Sequence, residues 1–259
     1  MKPMPDIEAV IEDFWRSRQV GVYFPPEWLG KLTIDDGYRV QIGLLARLVG
    51  QGSRHVGWKV GLTSEAMQQQ FRVHEPVFGY LLGEGEYPSG VSFPFSSLIR
   101  PGIESEICVT MATDLVGPGV DEVAVRRAIA SVRPSIELAE TRGPFTEHLP
   151  VAIAENVQQK AVVLGPETRP LPPDLDLARV GVAVSINGES VATATGVAVL
   201  GDPLRSVAWM ANKLVEYGLR LHAGQIVMTG SLTRQFAVRQ GDRVVAAFDP
   251  LGVVEATFV

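Results

Sequence analysis

Two glutamates, Glu104 and Glu106, lie two residues apart in RPGIESEICVTM, a stretch that also holds Ile103, Ile107 and Val109. The apolar content predicts a buried strand, and strand side chains two residues apart share one face of the sheet. A buried carboxylate without a partner costs several kcal/mol, so something must compensate these two charges.

A third acid, Glu137, lies in PSIELAE, a second apolar run that also predicts a strand. Solvent on an open sheet face could compensate the three acids, and so could salt bridges from arginines that are near in sequence, namely Arg100, Arg133 and Arg142. A bound cation is the other explanation. Three carboxylates without histidine or cysteine form a hard oxygen site that suits Mg²⁺ or Mn²⁺ better than Zn²⁺. The spacing alone is a weak pattern and leaves both explanations open.

The composition is that of an ordinary globular chain and excludes several classes of function. The 259 residues are 46% hydrophobic and carry a net charge of −6, without a run rich in lysine and arginine that would bind nucleic acid. No apolar stretch reaches the length of a membrane span. The N-terminal segment MKPMPDIEAVIEDFW has acids where a signal peptide has its apolar core, and the single cysteine, Cys108, predicts a buried thiol without a disulfide. We therefore expect a cytoplasmic protein that binds neither nucleic acid nor membrane.

The elements that must position the three acids follow from hydrophobic periodicity. Apolar residues at helical spacing predict helices over residues 6–18 and from a cap at Thr33 onward, so residues 1–54 form a helical N-terminal region that packs on the main domain. Residues 55–62 predict a strand, residues 63–71 a short helix, and the segment GEGEYPSGVSFP a loop.

Strands dominate the rest of the chain, and residues 55–259 are predicted to form one structural unit. Two helices interrupt them, over residues 121–132 and 203–217. Unequal clusters of strands without regular strand–helix alternation predict an α+β fold. The predicted strands cover residues 103–112, 134–139, 160–165, 180–186, 189–194, 225–230, 242–248 and 253–258.

Six motifs in order along the chain resemble the 2-keto-4-pentenoate hydratase/4-oxalocrotonate decarboxylase family, a branch of the fumarylacetoacetate hydrolase superfamily. The motifs are GWKVGLT, IESEI, SIELAETR, AVLGDPLRSVAWMANKL, GQIVMTGS and the final GDRV…LGVVEATF, and LTIDDGYRVQ near the start agrees with them. The resemblance implies a mixed, rolled β-sheet with flanking helices, one active site per chain, a homo-oligomer and a place in aromatic ring degradation.

The resemblance also implies a metal-dependent lyase. Its substrates are 2-hydroxy-dienoates or 2-oxo-enoates from meta-cleavage, bound through a divalent metal, usually Mg²⁺, that stabilises a dienolate. By the family pattern the metal ligands are Glu104, Glu106 and Glu137. Lys59 matches the family lysine that assists the enolate or holds the substrate carboxylate. The residues that match substrate-binding positions are Arg142, Asn156, Thr229 and Ser231, and Val77 and Lys160 are predicted to line the same pocket. Two alternatives stay open: Arg142 pairs with a ligand glutamate, or Thr229 and Ser231 belong to a plain turn at the end of a strand.

The chain departs from the family pattern at two places. Hydratases of the family carry an acid–base aspartate where this chain has Val77, and decarboxylases carry an apolar residue there. The nearest titratable substitutes are His74 and Glu75. The family stretch Asp-Asn-Ala-Ser reads Glu-Asn-Val-Gln at residues 155–158, and Lys160 adds a charge that could contact a second substrate carboxylate or be solvated.

These departures leave three functions open. The leading one is a Mg²⁺-dependent lyase, either hydratase or decarboxylase. The second is a C–C bond hydrolase of the acylpyruvase type, in which the pair His74–Glu75 would activate water. The third is a non-catalytic member that binds a keto acid.

Overall fold

Two β-sheets and six α-helices make up the described part of the chain, residues 5–259 of the computed structural model. Residues 1–4 of the predicted N-terminal region, and of the segment used to argue against a signal peptide, lie outside the described residues. The helices are α1 (Ile7–Gln19), α2 (Ile34–Gly50), α3 (Glu65–Phe71), α4 (Glu122–Ala128), α5 (Leu149–Ala154) and α6 (Pro203–Leu214).

The thirteen strands of residues 5–259 divide into a sheet of eight and a sheet of five. They are β1 (His55–Gly61), β2 (Val77–Leu82), β3 (Glu86–Pro88), β4 (Val91–Phe93), β5 (Pro101–Met111), β6 (Ile129–Glu140), β7 (Gln159–Leu164), β8 (Gly181–Ile186), β9 (Glu189–Thr195), β10 (Ile226–Ser231), β11 (Phe236–Ala237), β12 (Arg243–Asp249) and β13 (Gly252–Phe258). The larger sheet runs β2-β1-β10-β5-β6-β7-β3, with β11 on β5, and the smaller runs β4-β13-β12-β8-β9. Mixed sheets with helices around them confirm the predicted α+β class.

The longest pairing of the fold, between β5 and β6, lies at the centre of the larger sheet. The two strands are antiparallel and stay paired from Pro101 opposite Glu140 to Met111 opposite Ile129. Neighbouring strands cover both edges of this ladder, so most of its side chains are buried. A long ladder with strands on both sides is a rigid support for side chains that must meet at fixed distances.

The N-terminal helices begin at polar caps and pack on α5. Asp6 caps α1, and Thr33 and Asp36 form a capping box at the start of α2. Gln41 in α2 donates hydrogen bonds to the carbonyl oxygens of Phe78 (3.0 Å) and Ile153 (2.7 Å), which ties the helix to β2 and α5. A division into residues 1–54 and 55–259 stays a prediction.

Three local predictions differ from the structure. The helix predicted over residues 121–132 ends at Ala128, because the chain from Ile129 onward pairs with β5 as β6. The segment predicted as a loop contains β3 and β4, two three-residue strands that pair with β7 and β13. Helix α5 was not predicted at all. Short elements of this kind are stabilised by the partners they meet rather than by their own periodicity.

None of the helices within residues 5–259 combines the length and the apolar character that a membrane-spanning helix requires.

Candidate metal centre and active-site cavity

The ladder between β5 and β6 brings the three glutamates together. Glu104 lies directly opposite Glu137, and Glu106 lies two residues further along β5, opposite Ser135. One carboxylate oxygen from each glutamate lies within 4.8 Å of the others. Strand alternation explains the convergence, because all three side chains are on the same face of the sheet.

Several carboxylate oxygens of this glutamate cluster have no hydrogen-bond partner. The backbone N–H of Gly230 donates to Glu106 Oε2 (2.8 Å), whereas Glu106 Oε1 and both oxygens of Glu137 are buried without a hydrogen bond. Lys59 Nζ forms an ion pair with Glu137 Oε1 at 3.3 Å. Buried polar atoms in folded proteins nearly always have partners, so Glu106 Oε1 and Glu137 Oε2, which have neither a hydrogen bond nor an ion pair, indicate a ligand. An all-oxygen set fits a hard divalent cation such as Mg²⁺.

Burial and mutual repulsion shift the pKa values of these groups. Burial and the negative charge of Glu137 raise the pKa of Glu104 to about 7. Burial and the two neighbouring carboxylates raise the pKa of Glu106 well above its ordinary value, and burial raises that of Glu137. Burial alone would lower the pKa of Lys59, but the three carboxylates outweigh it and leave the pKa raised. A divalent cation at the cluster would remove this repulsion.

Gly230 holds Glu106 in place and has no room for a side chain. Its φ of +111° lies outside the range that other residues favour, and a Cβ would come 2.5 Å from the Thr63 methyl group. The turn after β10 therefore requires glycine at this position, and its N–H fixes one oxygen of Glu106.

A cavity of about 320 Å³ opens beside the carboxylates. Ala139, two residues beyond Glu137 on the same strand, also lines it, and the Gln235 side chain fills the position beside Gly102, which lies opposite Ala139. Apolar and polar groups form its walls. The lining residues that matter below are Lys59, Leu62, Phe71, Glu104, Phe145, Val157, Gln158, Ser231 and Arg234.

Two of the predicted substrate-binding hydroxyls differ in their surroundings. Ser231 lines the cavity, and its buried Oγ has no hydrogen-bond partner. Thr229 Oγ1 instead donates to the carbonyl oxygen of Ile107 (2.8 Å) and is fully buried between β10 and β5. The structure therefore gives Thr229 a role in holding two strands together, and only Ser231 is available to a ligand.

The pair His74–Glu75 lies outside the cavity, which corrects the predicted acid–base position. Both residues are exposed, and Glu75 forms an ion pair with Lys213 at 3.0 Å. Neither contributes to the cavity lining. The valine two residues later is different, because a Cβ built on Gly61 would lie 3.4 Å from both Lys59 Nζ and the Val77 side chain. The Val77 side chain and the lysine ammonium therefore lie on either side of this position, but Val77 is not among the residues that line the cavity.

Three further predicted residues line a second cavity of about 530 Å³ instead of the first. Arg142 Nη2 donates to the carbonyl oxygens of Glu155 (3.3 Å) and Gln159 (2.9 Å). Asn156 accepts from the N–H of Tyr80 (2.7 Å) and donates to its carbonyl oxygen (3.0 Å), and Lys160 faces Glu140 at 3.9 Å. The partners of Arg142 and Asn156 are backbone groups of this chain, which argues for structural roles.

The sequence of residues 85–259 matches the family described as Fumarylacetoacetate (FAA) hydrolase C-terminal. The chain belongs to the fumarylacetoacetate hydrolase family. Within this family it is 38% identical over 230 residues to a 4-oxalocrotonate decarboxylase of Pseudomonas putida, covering 88% of this chain and 87% of that one. It is 32% identical to a 2-keto-4-pentenoate hydratase of Paraburkholderia xenovorans, with 97% and 94% covered. The resemblance found in the sequence is thereby confirmed.

A solved member of the fumarylacetoacetate hydrolase family has the same fold over nearly the whole length. The 4-oxalocrotonate decarboxylase from Pseudomonas putida G7, complexed with magnesium and adipate, superposes with a TM-score of 0.91 at 33% identity and covers 98% of this chain and 97% of its own. This agreement confirms the predicted roll of mixed sheet with flanking helices.

Sequence reasoning missed several residues of the cavity. Gln158 was noted only as a departure from the family serine, and Phe71, Phe145 and Arg234 carried no motif. Their positions depend on how loops and the short helix α3 close over the sheet, which periodicity does not reveal.

Proposed function

We propose that this chain is a divalent-metal-dependent lyase that acts on 2-oxo-enoate or 2-hydroxy-dienoate acids. The observation that carries the proposal is the cluster of Glu104, Glu106 and Glu137 beside Lys59, in which Glu106 and Glu137 have buried oxygens without hydrogen bonds while Glu104 and Lys59 line a cavity. These glutamates would hold the cation, with Mg²⁺ as the ion of choice and Mn²⁺ as a substitute. When bound, the cation supplies a Lewis acid for the negative charge that develops on the 2-oxygen.

Lys59 adds positive charge on the wall of the same cavity. Its ammonium is buried and 3.3 Å from Glu137, so it stays next to the carboxylates and does not reach solvent. An ammonium in this position attracts the substrate carboxylate and stabilises the enolate form of the acid. Ser231 Oγ, which has no partner in the chain, is free to hydrogen-bond a substrate oxygen.

Within the lyases, we favour a carboxy-lyase over a hydro-lyase. The position where family hydratases carry an aspartate is Val77, which is buried and cannot transfer a proton. The walls include the apolar side chains of Leu62, Phe71, Phe145 and Val157. Loss of CO₂ from a carboxylate is favoured in such surroundings, whereas hydration needs a group that activates water.

The comparisons with known proteins also favour a carboxy-lyase over a hydro-lyase. A relative at 38% identity and a solved structure at a TM-score of 0.91 are both 4-oxalocrotonate decarboxylases, and the latter holds magnesium and adipate. A hydratase remains the second candidate, because relatives with that name reach 36% identity.

The two other functions have less support. The hydrolase depends on His74 and Glu75, which are exposed and outside the cavity. A keto acid that is only bound needs no cation to stabilise an enolate, whereas the buried Lys59 and the carboxylate cluster are arranged to supply one. A cytoplasmic location and a homo-oligomer stay predictions.

The test is to supply the Mg²⁺-loaded protein with 4-oxalocrotonate and with 2-hydroxypenta-2,4-dienoate in parallel. We expect CO₂ release from the first and little hydration of the second. Dialysis against EDTA should abolish turnover and Mg²⁺ should restore it. Hydration without CO₂ release would establish the hydro-lyase instead, and turnover that persists in EDTA would refute the metal-dependent mechanism.

A further inference from the structure

One side chain of the cavity has a hydrogen-bond donor that the chain leaves unused. Gln158 is buried, and its Oε1 accepts from the backbone N–H of Arg142 (3.2 Å), whereas its Nε2 is buried without a partner. A backbone N–H only donates, so the oxygen of the amide is the atom that must face it. The NH₂ group is thereby fixed in the opposite direction, on a residue that lines the cavity.

The backbone that carries Gln158 adopts an uncommon conformation. Asn156, Val157 and Gln158 have φ angles of 60°, 49° and 63°, three consecutive residues in the left-handed region. This conformation is unfavourable for a β-branched residue such as Val157. The Asn156 side chain holds the turn by its two hydrogen bonds to Tyr80, so Val157 and Gln158 face the cavity. Strain of this kind persists where it positions a functional group.

The register of the sheet places Gln158 at the end of the cavity away from the carboxylates. Ala139 is two residues beyond Glu137 on the same face, which corresponds to about 7 Å along the strand. Ala139 pairs with Gln159, the residue that follows Gln158. A chain-like acid whose 2-oxo end lies at the glutamates therefore extends over Ala139 toward Gln158.

We infer that Gln158 Nε2 donates a hydrogen bond to a carboxylate at the distal end of the substrate, and so makes the site selective for diacids. The inference rests on the proposed function, because it takes the 2-oxo end to lie at the glutamates. The electrostatics of the cavity agree, since Glu104 is the only acid among its described lining residues and Arg234 is a cation in the same lining. A distal carboxylate therefore meets a donor and a positive charge without repulsion beyond the metal end.

The test is calorimetry on the Mg²⁺-loaded protein with three unreactive ligands. Oxalate probes the chelating end, 2-oxopentanoate adds an apolar tail, and 2-oxoadipate adds the distal carboxylate. In Gln158→Met and Gln158→Glu we expect 2-oxoadipate to bind roughly tenfold to a hundredfold more weakly, as for loss of a hydrogen bond to a charged group. Oxalate and 2-oxopentanoate should bind as they do to the parent protein. The matched control is Gln159→Met, which changes the adjacent glutamine that lines the other cavity.

The two variants separate a binding role from a structural one. Gln158→Glu keeps an oxygen for the N–H of Arg142 and replaces the donor with a negative charge, whereas Gln158→Met removes both the acceptor and the donor without adding charge. The inference is overturned if either variant binds 2-oxoadipate like the parent, or if all three ligands weaken equally. A parent protein that binds neither Mg²⁺ nor oxalate overturns the proposed function together with this inference. A parent that binds both, with variants indistinguishable from it, overturns this inference alone.

Discussion

Glu137 destabilises the fold of the metal-free protein, but the protein needs it to bind the metal. Neither of its carboxylate oxygens has a hydrogen bond, it lies opposite Glu104, and Lys59 is the cation that pairs with it. A buried charge in such surroundings destabilises the fold unless a cation compensates it. The same feature that lowers stability therefore creates the affinity for the metal.

A first prediction concerns Glu137→Gln, which keeps the shape and removes the charge. We expect Mg²⁺ affinity to fall by roughly a hundredfold or more, because a ligand and its charge are lost. The metal-free variant should melt at the same temperature as the metal-free parent or higher, since repulsion with Glu104 and Glu106 is relieved. Calorimetry and thermal melts in EDTA measure the two effects, with Glu189→Gln on the exposed face of β9 as the control. A variant that binds Mg²⁺ normally would remove Glu137 from the ligand set.

A second prediction concerns Arg234, an exposed residue of the cavity lining whose guanidinium lies 4.1 Å from the ring centroid of Phe236. A cation at this position attracts anionic substrates over a range that salt screens. Arg234→Gln should lower kcat/KM a few-fold at low ionic strength, leave kcat unchanged, and lose its effect in high salt. Steady-state kinetics at two salt concentrations test this, with the exposed Arg239→Gln as the control. A fall in kcat would instead place Arg234 among the groups that touch the reacting atoms.

The end of β10 shows how a single turn controls the site at the scale of elements. A bulge between Met228 and Ser231 interrupts the ladder with β5, which resumes where Ser231 pairs with Glu106. The bulge places Gly230 N–H against Glu106 and leaves Ser231 Oγ in the cavity lining. Strand irregularities next to active sites commonly direct side chains in this way.

A third prediction concerns this turn. Gly230→Ala should destabilise the protein by about 1–3 kcal/mol for the backbone conformation alone, and further because the new methyl group meets Thr63. It should also weaken Mg²⁺ binding, since Glu106 loses a fixed orientation. Gly224→Ala is a matched control, because Gly224 also has positive φ (+82°) but nothing lies within 4 Å of its added Cβ. Chemical denaturation and Mg²⁺ titration of both variants test the difference. If Gly230→Ala and Gly224→Ala lost equal amounts of stability and of Mg²⁺ affinity, the positive φ angle alone would explain both variants.

Elements with a strong pattern were predicted from the sequence, and those that depend on their neighbours were not. The run from Ile103 to Met111 is apolar enough to predict β5, Thr33 marks the start of α2, and the helix predicted from residue 203 is present as α6. The boundary at Ala128 was missed, because the next residues form a strand only where β5 is available to pair. Gln158 could not be recognised as a cavity residue, since its direction depends on a left-handed turn held by Tyr80 from a distant part of the chain.

At the scale of the whole molecule, the carboxylate cluster makes stability depend on pH. Burial raises the pKa of Glu104 from 4.5 to about 7, and the pKa values of Glu106 and Glu137 are raised in the same direction. A carboxylate with a raised pKa binds more protons in the folded state than in the unfolded state between these two values. Stability of the metal-free protein therefore falls as the pH rises through this window. His55 acts in the opposite direction, because burial lowers its pKa from 6.5.

The last prediction follows from this direction of the pH dependence. In EDTA the melting temperature should fall as the pH rises from about 5 to 8, and it should fall less in Glu104→Gln, which keeps His55 but lacks one titrating acid. Added Mg²⁺ must displace the protons of the cluster, so the increase in melting temperature that it produces should be small at low pH and large at pH 8. Thermal melts with and without Mg²⁺ across this range measure both trends. A Mg²⁺ effect that is equal at both ends would mean that the cation binds elsewhere, because only a site built from these buried carboxylates couples metal binding to their protons.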